Sequence, residues 1–375
     1  MTTRVPVKPN LLTWAIERAG LVVDEFLIQY PKVELWLRGE KEPTLNQLED
    51  FSKKVHVPFG YLLLDVPPAE PAILPLFRTK GNHEIQNIPL ELKDIIRQTR
   101  ARQEWLSEHL QNTGAEPLAF IGSLKADSSP QTLTDALRKE LNLSPDWSQH
   151  LTSRQNALDY LTEAAENANI TVTYNGVVGN NNRRKIPVDV CRGFVLVDQY
   201  APFIFVNNSD AKAAQLFTLA HELAHLWLGV EGIFDLNQLL PTNDPIEQLC
   251  NQAAAELLVP EADFREAWDQ KPDPKALKRQ FKVSPLVLAR RALDLRLWSR
   301  RRFFRFYQDY MQGLPRANQG GGGNFYATAR KRLGPRFLNY VHEATRAGQL
   351  PYDQAYKLTG LKRSTYTEIM KQNFG

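Results

Sequence analysis

His221, Glu222 and His225 lie within the run Phe217-Thr218-Leu219-Ala220-His221-Glu222-Leu223-Ala224-His225, at a spacing that suits metal chemistry. On a helix, two residues four apart share one face, so both imidazoles reach a single tetrahedral Zn²⁺. Glu222 then projects beside the ion, where a carboxylate can take a proton from the water that attacks a peptide carbonyl. The flanking Leu216, Leu219, Ala220, Leu223, Ala224, Leu226 and Trp227 are apolar, as in a buried helix, and Gly229 offers a stop. Two histidines and a glutamate are costly in such a setting unless paired or metallated.

A hydrolytic zinc site needs a third protein ligand and an open fourth position. Three glutamates compete. Glu231 follows His221 by ten residues, where an elongated zinc motif places its last ligand, but the glycine that would bend the chain is displaced to Gly229. Glu247 opens the helical segment Glu247 to Pro260, and Asn251 shares its face at i+4. Glu247 could ligate while Asn251 accepts a hydrogen bond from the far nitrogen of a ligand imidazole. Glu256 lies well round that helix and reads as a structural polar residue.

The stretch from Cys191-Arg192-Gly193-Phe194 through Pro202-Phe203-Ile204-Phe205-Val206-Asn207, the His-Glu helix and the segment Glu247 to Pro260 resembles the ImmA/IrrE family of metallopeptidases over roughly residues 150 to 262. The resemblance implies His221, His225 and Glu247 as zinc ligands and Glu222 as base, with Asn251 behind them. It further implies a zinc-dependent endopeptidase cutting a protein partner inside the cell, such as a repressor, a regulator or a toxin-antitoxin component. Tyr174, Tyr200 and Arg192 are candidates to approach a tetrahedral intermediate, and the spacing does not choose among them.

The 375 residues are 43% hydrophobic and 23% charged, which suits a globular chain of two or three domains. The N-terminus lacks a signal-peptide layout and no apolar run reaches the length of a membrane span, so a cytoplasmic location without membrane attachment is expected. Two distant cysteines, Cys191 and Cys250, read as reduced thiols.

Residues 1–68 form a first module. Amphipathic stretches at Leu11 to Ala19, Val22 to Tyr30 and Leu45 to Val55, with the exit Trp36-Leu37-Arg38-Gly39-Glu40-Lys41-Glu42-Pro43-Thr44, resemble a Xre-type helix-turn-helix domain. Only fifteen positions separate Leu21 from Trp36, and Tyr30-Pro31 falls where the turn belongs. The shortened recognition helix offers Lys32 and Arg38 against Glu34 and Glu40, which favours protein contact or domain packing over specific DNA binding.

The stiff linker Pro67 to Pro71 leads into residues 69–150, a linker and helical region with the element Leu76-Phe77-Arg78-Thr79 and helices expected at Leu90 to Leu110 and Thr132 to Leu141. In the core, 151–262, a helix at Arg154 to Asn167 precedes strands at Ile170 to Tyr174, Phe194 to Asp198 and Phe203 to Val206, with Asn180 to Lys185 as an exposed loop. An edge of that sheet could receive an extended substrate by strand addition.

A basic helical extension, 263–312, carries seven arginines against Asp294 between Arg290 and Arg305. Interleaved arginines and aromatics can grip nucleic acid, though they equally suit an acidic protein or a solvated face. A Gly-rich linker, 313–325, leads to a C-terminal module, 326–375, with helices expected at Phe337 to Ala347, Tyr352 to Thr359 and Arg363 to Gln372. Its segment Ala355 to Tyr366 has a helix-turn-helix character, one residue longer before Gly360 than usual, and short helical hairpins make the same pattern.

The sequence therefore predicts an α+β fold, mainly helical, with a small β-sheet packed on a zincin-like helix and helical modules at both ends. Zn²⁺ is the expected cofactor, and a protein encoded by an adjacent gene the expected partner, with DNA less favoured. Larger fusions with such a linker and tail resemble members of toxin-antitoxin operons beside a PIN-domain-like ribonuclease. Antitoxin-like binding of that partner is thus a second reading, and DNA-binding regulation around a structural zinc a third.

Overall fold

A computed structural model describes residues 4–68, 89–234, 244–313 and 325–374. The linker residues 69–71, the Phe77-Arg78-Thr79 element and residues 314–324 of the Gly-rich linker lie outside the described residues. The described chain falls into two compact units, one of residues 4–68 with 89–93, the other from Asp94 onward.

In the first unit, α1 (Pro9–Arg18), α2 (Val23–Gln29), α3 (Pro31–Leu37) and α4 (Leu45–Lys54) precede a 3₁₀ turn at Phe59–Leu63. Pro31 opens α3 immediately after Tyr30 closes α2, and α3 spans only seven residues. Thr44 starts α4 with a capping box: its hydroxyl accepts from Gln47 N while Gln47 Oε1 accepts from Thr44 N. Leu12, Ile16, Phe26, Trp36, Leu48 and Phe51 form the small core.

The second unit contains α5 (Leu90–Asn112, most of it), α6 (Pro130–Glu140), α7 (Arg154–Asn167), β1 (Thr171–Tyr174), β2 (Val177–Val178), β3 (Asn181–Lys185), β4 (Gly193–Leu196), β5 (Phe203–Val206), α8 (Lys212–Leu228), β6 (Gly232–Phe234) and α9 (Pro245–Leu258). Thereafter come α10 (Glu261–Gln270), α11 (Pro274–Leu277), α12 (Pro285–Asp294), α13 (Arg300–Gln312), α14 (Phe325–Leu333), α15 (Pro335–Arg346), α16 (Tyr352–Thr359) and α17 (Arg363–Phe374). The fold is α+β and mainly helical, with a small mixed sheet. None of the described helices is long and apolar enough to cross a membrane.

The sheet runs β1-β5-β4-β6, with β1 parallel to β5 and the other pairs antiparallel. All residues of β1, β4 and β5 are buried, as a sheet covered on both faces requires. Side chains alternate: Val172, Val195, Ile204 and Val206 share a core with α7, α8 and α9. On the other face Phe203 meets Phe337 of α15, which in turn meets Trp105 of α5. Gln103 of α5 donates to the Leu196 and Ala201 carbonyls, fixing that layer to the ends of β4 and β5.

Several elements differ from the sequence expectation. Asn180 to Lys185 is not a plain loop: β3 pairs antiparallel with β2 in a two-stranded hairpin whose polar residues face solvent apart from Arg184, which pairs with Asp94 at 2.8 Å. β6, α10 and α14 were not anticipated. The arginine-rich run is also not one continuous stripe, because Arg290 and Arg291 are buried against Asp294 and Glu256 while Arg296, Arg300, Arg301, Arg302 and Arg305 are exposed.

Candidate metal centre

Helix α8 forms because Ala and Leu dominate it, and it ends where Gly229 takes a left-handed conformation (φ 64°). Gly229 also lies against Gly122, where a Cβ would approach the Gly122 Cα to 3.0 Å, so glycine is needed there twice over. Every residue from Gln215 to Leu228 is buried, which places the polar trio deep in the molecule. Their relative exposures are 1% for His221, 0% for Glu222 and 2% for His225.

The second helix is aimed by its cap. Asp244 Oδ1 accepts from Ile246 N at 2.9 Å and Glu247 N at 3.4 Å, and Pro245 occupies the first turn where no donor is missed. Glu247 therefore projects from the start of α9, which packs along α8. Its carboxylate lies 3.3 Å from His221 Nε2 and 3.5 Å from His225 Nε2, and the two Nε2 atoms are 3.0 Å apart. The donor atoms of His221, His225 and Glu247 all lie within 4.8 Å of one another. The Glu247 side chain keeps 16% of its surface exposed and is the one member of the trio at the rim.

Sheet and helix close round this cluster. The Phe234 ring lies 4.4 Å from that of His221, and Gly232 abuts His225, where a Cβ would come within 3.2 Å of Cε1. Burial pushes the Glu222 carboxyl well above the ordinary carboxylate range, and Glu247 nearby adds to the effect. Burial, and then His221, lower the His225 imidazole to about 4. Among the described residues, neither oxygen of Glu222 has a hydrogen-bond partner. A buried carboxyl group left so, beside two imidazoles and a second carboxyl group whose donor atoms converge, is a donor set that a divalent cation fits.

The other glutamates are engaged elsewhere. Glu231 accepts from Val197 N at 3.0 Å and pairs with Arg100 at 2.9 Å. Glu256 pairs with Arg291 and accepts from Glu261 N. Asn251 lies buried on α9, but the hydrogen bond expected from a far imidazole nitrogen is not formed: Nδ1 of His221 and of His225 have no hydrogen-bond partner among the described residues. Among the oxyanion candidates, Tyr174 bonds Thr162 at 2.6 Å and Arg192 faces Asp210 at 3.4 Å. Tyr200 lies in a cleft with Leu118 and Tyr340. Sequence reasoning missed Phe234 and Gly232, since three residues of strand carry no periodic signal. A cavity of about 580 Å³ lies apart from the histidines, among α7, β1 and α14, and includes Glu166 and Tyr174.

Residues 165–293 match the peptidase family M78, described as the IrrE N-terminal-like domain, a stretch that runs from the end of α7 through the metal cluster to α12. Residues 333–372 match a domain of unknown function, DUF8813. No curated protein matches the chain. The first match supports a metallopeptidase-like function, and the triad His221, His225 and Glu247 supplies a candidate metal site for it.

Proposed function

We propose that the chain is a zinc-dependent endopeptidase that cuts a protein partner inside the cell. The observation that carries this reading is the meeting of His221, His225 and Glu247 beside a buried Glu222 whose oxygens bond none of the described residues. Two imidazoles and a carboxylate are a usual zinc set, and they leave a coordination position for water or substrate. When bound, the ion would supply Lewis acidity toward the scissile carbonyl.

Glu222 has the remaining work. Buried beside the ligands, its carboxylate would take a proton from the attacking water and return it to the departing amine. A structural zinc site would have no use for it. Phe234 and Gly232 orient the imidazoles by contact, and Asp244 fixes the turn from which Glu247 reaches them. The edge strand nearest these ligands is β6, so an extended substrate segment would approach along that side. Co-expression with the product of the neighbouring gene, followed by intact-mass measurement, tests the reading: a new pair of fragments from that product supports it.

One observation favours a second reading. The histidines and Glu222 are at most 2% exposed, a degree of closure that suits a metal-stabilised binding protein, such as one that restrains a partner toxin, as much as an open peptidase. Neutralisation of the partner without cleavage would favour it.

A further inference from the structure

The C-terminal module concentrates charge to an unusual degree. Residues 325–374 carry nine Lys and Arg against three Asp and Glu, a net of +6, whereas the whole chain nets +4. The rest of the chain is thus slightly acidic, and any polyanion will be drawn to this end.

The shape that carries the charge is a helix-turn-helix. α16 ends at Gly360, whose left-handed φ of 66° turns the chain within three residues into α17. The extra residue before the glycine, Thr359, is absorbed inward: its hydroxyl donates to the Ala355 carbonyl at 2.7 Å and accepts from Leu361 N at 3.4 Å. Tyr366, Ile369 and Met370 bury one face of α17, and the Tyr366 hydroxyl lies 3.2 Å from that of Thr345 on α15. The opposite face presents Arg363, Ser364, Thr367 and Lys371, all exposed. The acids nearby are matched, Asp353 by Lys357 and Glu368 by Gln372.

A second basic element reaches the same turn from elsewhere in the sequence. The β2–β3 hairpin is held against the module by Asn180, which donates to the Gly360 carbonyl at 3.4 Å and accepts from Arg332 Nη1 at 2.8 Å. Arg183 and Lys185, just beyond, are exposed.

We infer that α17 and the β2–β3 hairpin form a duplex-DNA-binding surface, with α17 entering the major groove and Arg183 and Lys185 meeting the adjacent phosphates. A second helix with alternating cations and small hydroxyls on its outer face is what major-groove entry uses. The hairpin supplies the flanking phosphate contacts that set register. The surface is separate from the metal centre and does not depend on the peptidase reading.

The test uses the full-length chain and a labelled random-sequence DNA duplex of about three helical turns, titrated by fluorescence anisotropy between about 50 and 200 mM salt. The parent should bind with affinity that falls steeply with salt. Arg363→Ala, Lys371→Ala and Arg183→Ala should each weaken binding several-fold and each reduce the salt slope by about one, with melting temperature unchanged because all three residues are exposed. Arg301→Ala, exposed on α13, should leave both unchanged. The inference is overturned if the parent does not bind the duplex, if the three variants bind as the parent does, if Arg301→Ala weakens binding as much as they do, or if single-stranded RNA of equal length binds more tightly than the duplex.

Discussion

Gly193 on β4 stands against Glu222 on α8: a Cβ at Gly193 would lie 3.3 Å from Glu222 Oε1 and 2.8 Å from the Phe205 carbonyl oxygen, and would collide with the Thr218 methyl. The sheet and the helix that holds the candidate base are in direct contact there, and only the absence of a side chain permits it.

Gly193→Ala should therefore destabilise the fold by about 1–3 kcal/mol, the cost of overpacking against a backbone oxygen that cannot yield. Gly232→Ala meets a softer neighbour, the His225 ring at 3.2 Å, and should tilt that ring at less cost in stability. Thermal melts and metal analysis of the two variants should diverge, with the larger melting loss in Gly193→Ala and clear metal loss in Gly232→Ala.

The three glutamates that compete in the sequence separate by what they touch. Glu247→Ala should lower metal content. Glu231→Ala should cost about 1–2 kcal/mol through the lost bonds to Val197 N and Arg100, and retain metal. Glu256→Ala strands the buried Arg291 and should cost about 3–5 kcal/mol, again with metal retained. Metal analysis beside denaturant unfolding checks all three, and metal loss in Glu231→Ala with retention in Glu247→Ala would move the third ligand.

Glu166 sets a pH dependence away from the metal cluster. Burial raises its carboxyl from the ordinary 4.5 to about 7, against the opposing effects of Val172 and Arg336 backbone donors and the Arg336 and Arg330 charges. The folded chain then holds a proton that the unfolded chain has released. That contribution to stability is complete below about pH 4.5 and is lost as pH rises through about 7. Glu166→Gln should melt at the same temperature as the parent in acid and at a higher one at pH 8; an unchanged difference across that range would refute the assignment.

Much of this was legible in the chain. The boundaries of α7 and α16 match the periodicity because each has a clear stop: Asn167 before Ala168 and Asn169, and Gly360 after Thr359. The helix of the candidate ligands was readable because His221 and His225 interrupt an otherwise apolar run. Elsewhere the signal was physical but not local. β6 is three residues long, and its place beside β4 depends on pairing across the sheet. Asn180 to Lys185 is all polar and so reads as loop, yet its backbone pairs with Val177 and Val178 while its side chains, Arg184 apart, stay wet. Arg291 belongs to a basic run by composition and to the core by structure, because its counter-ion Glu256 is contributed by another helix.

The proposed peptidase activity depends on Glu222, and the direct measurement is intact-mass analysis of the neighbouring gene's product after co-expression with the parent chain or with Glu222→Gln, alongside the metal content of each. Gln is nearly isosteric and replaces a buried carboxyl that bonds none of the described residues, so fold and metal should be kept. Cleavage, which needs the proton acceptor, should fall by about 10²-fold or more. The account predicts two new fragments with the parent and an intact partner with a metal-loaded Glu222→Gln. Equal cleavage by both, or an intact partner with a metal-loaded parent that still restrains it in cells, would contradict it.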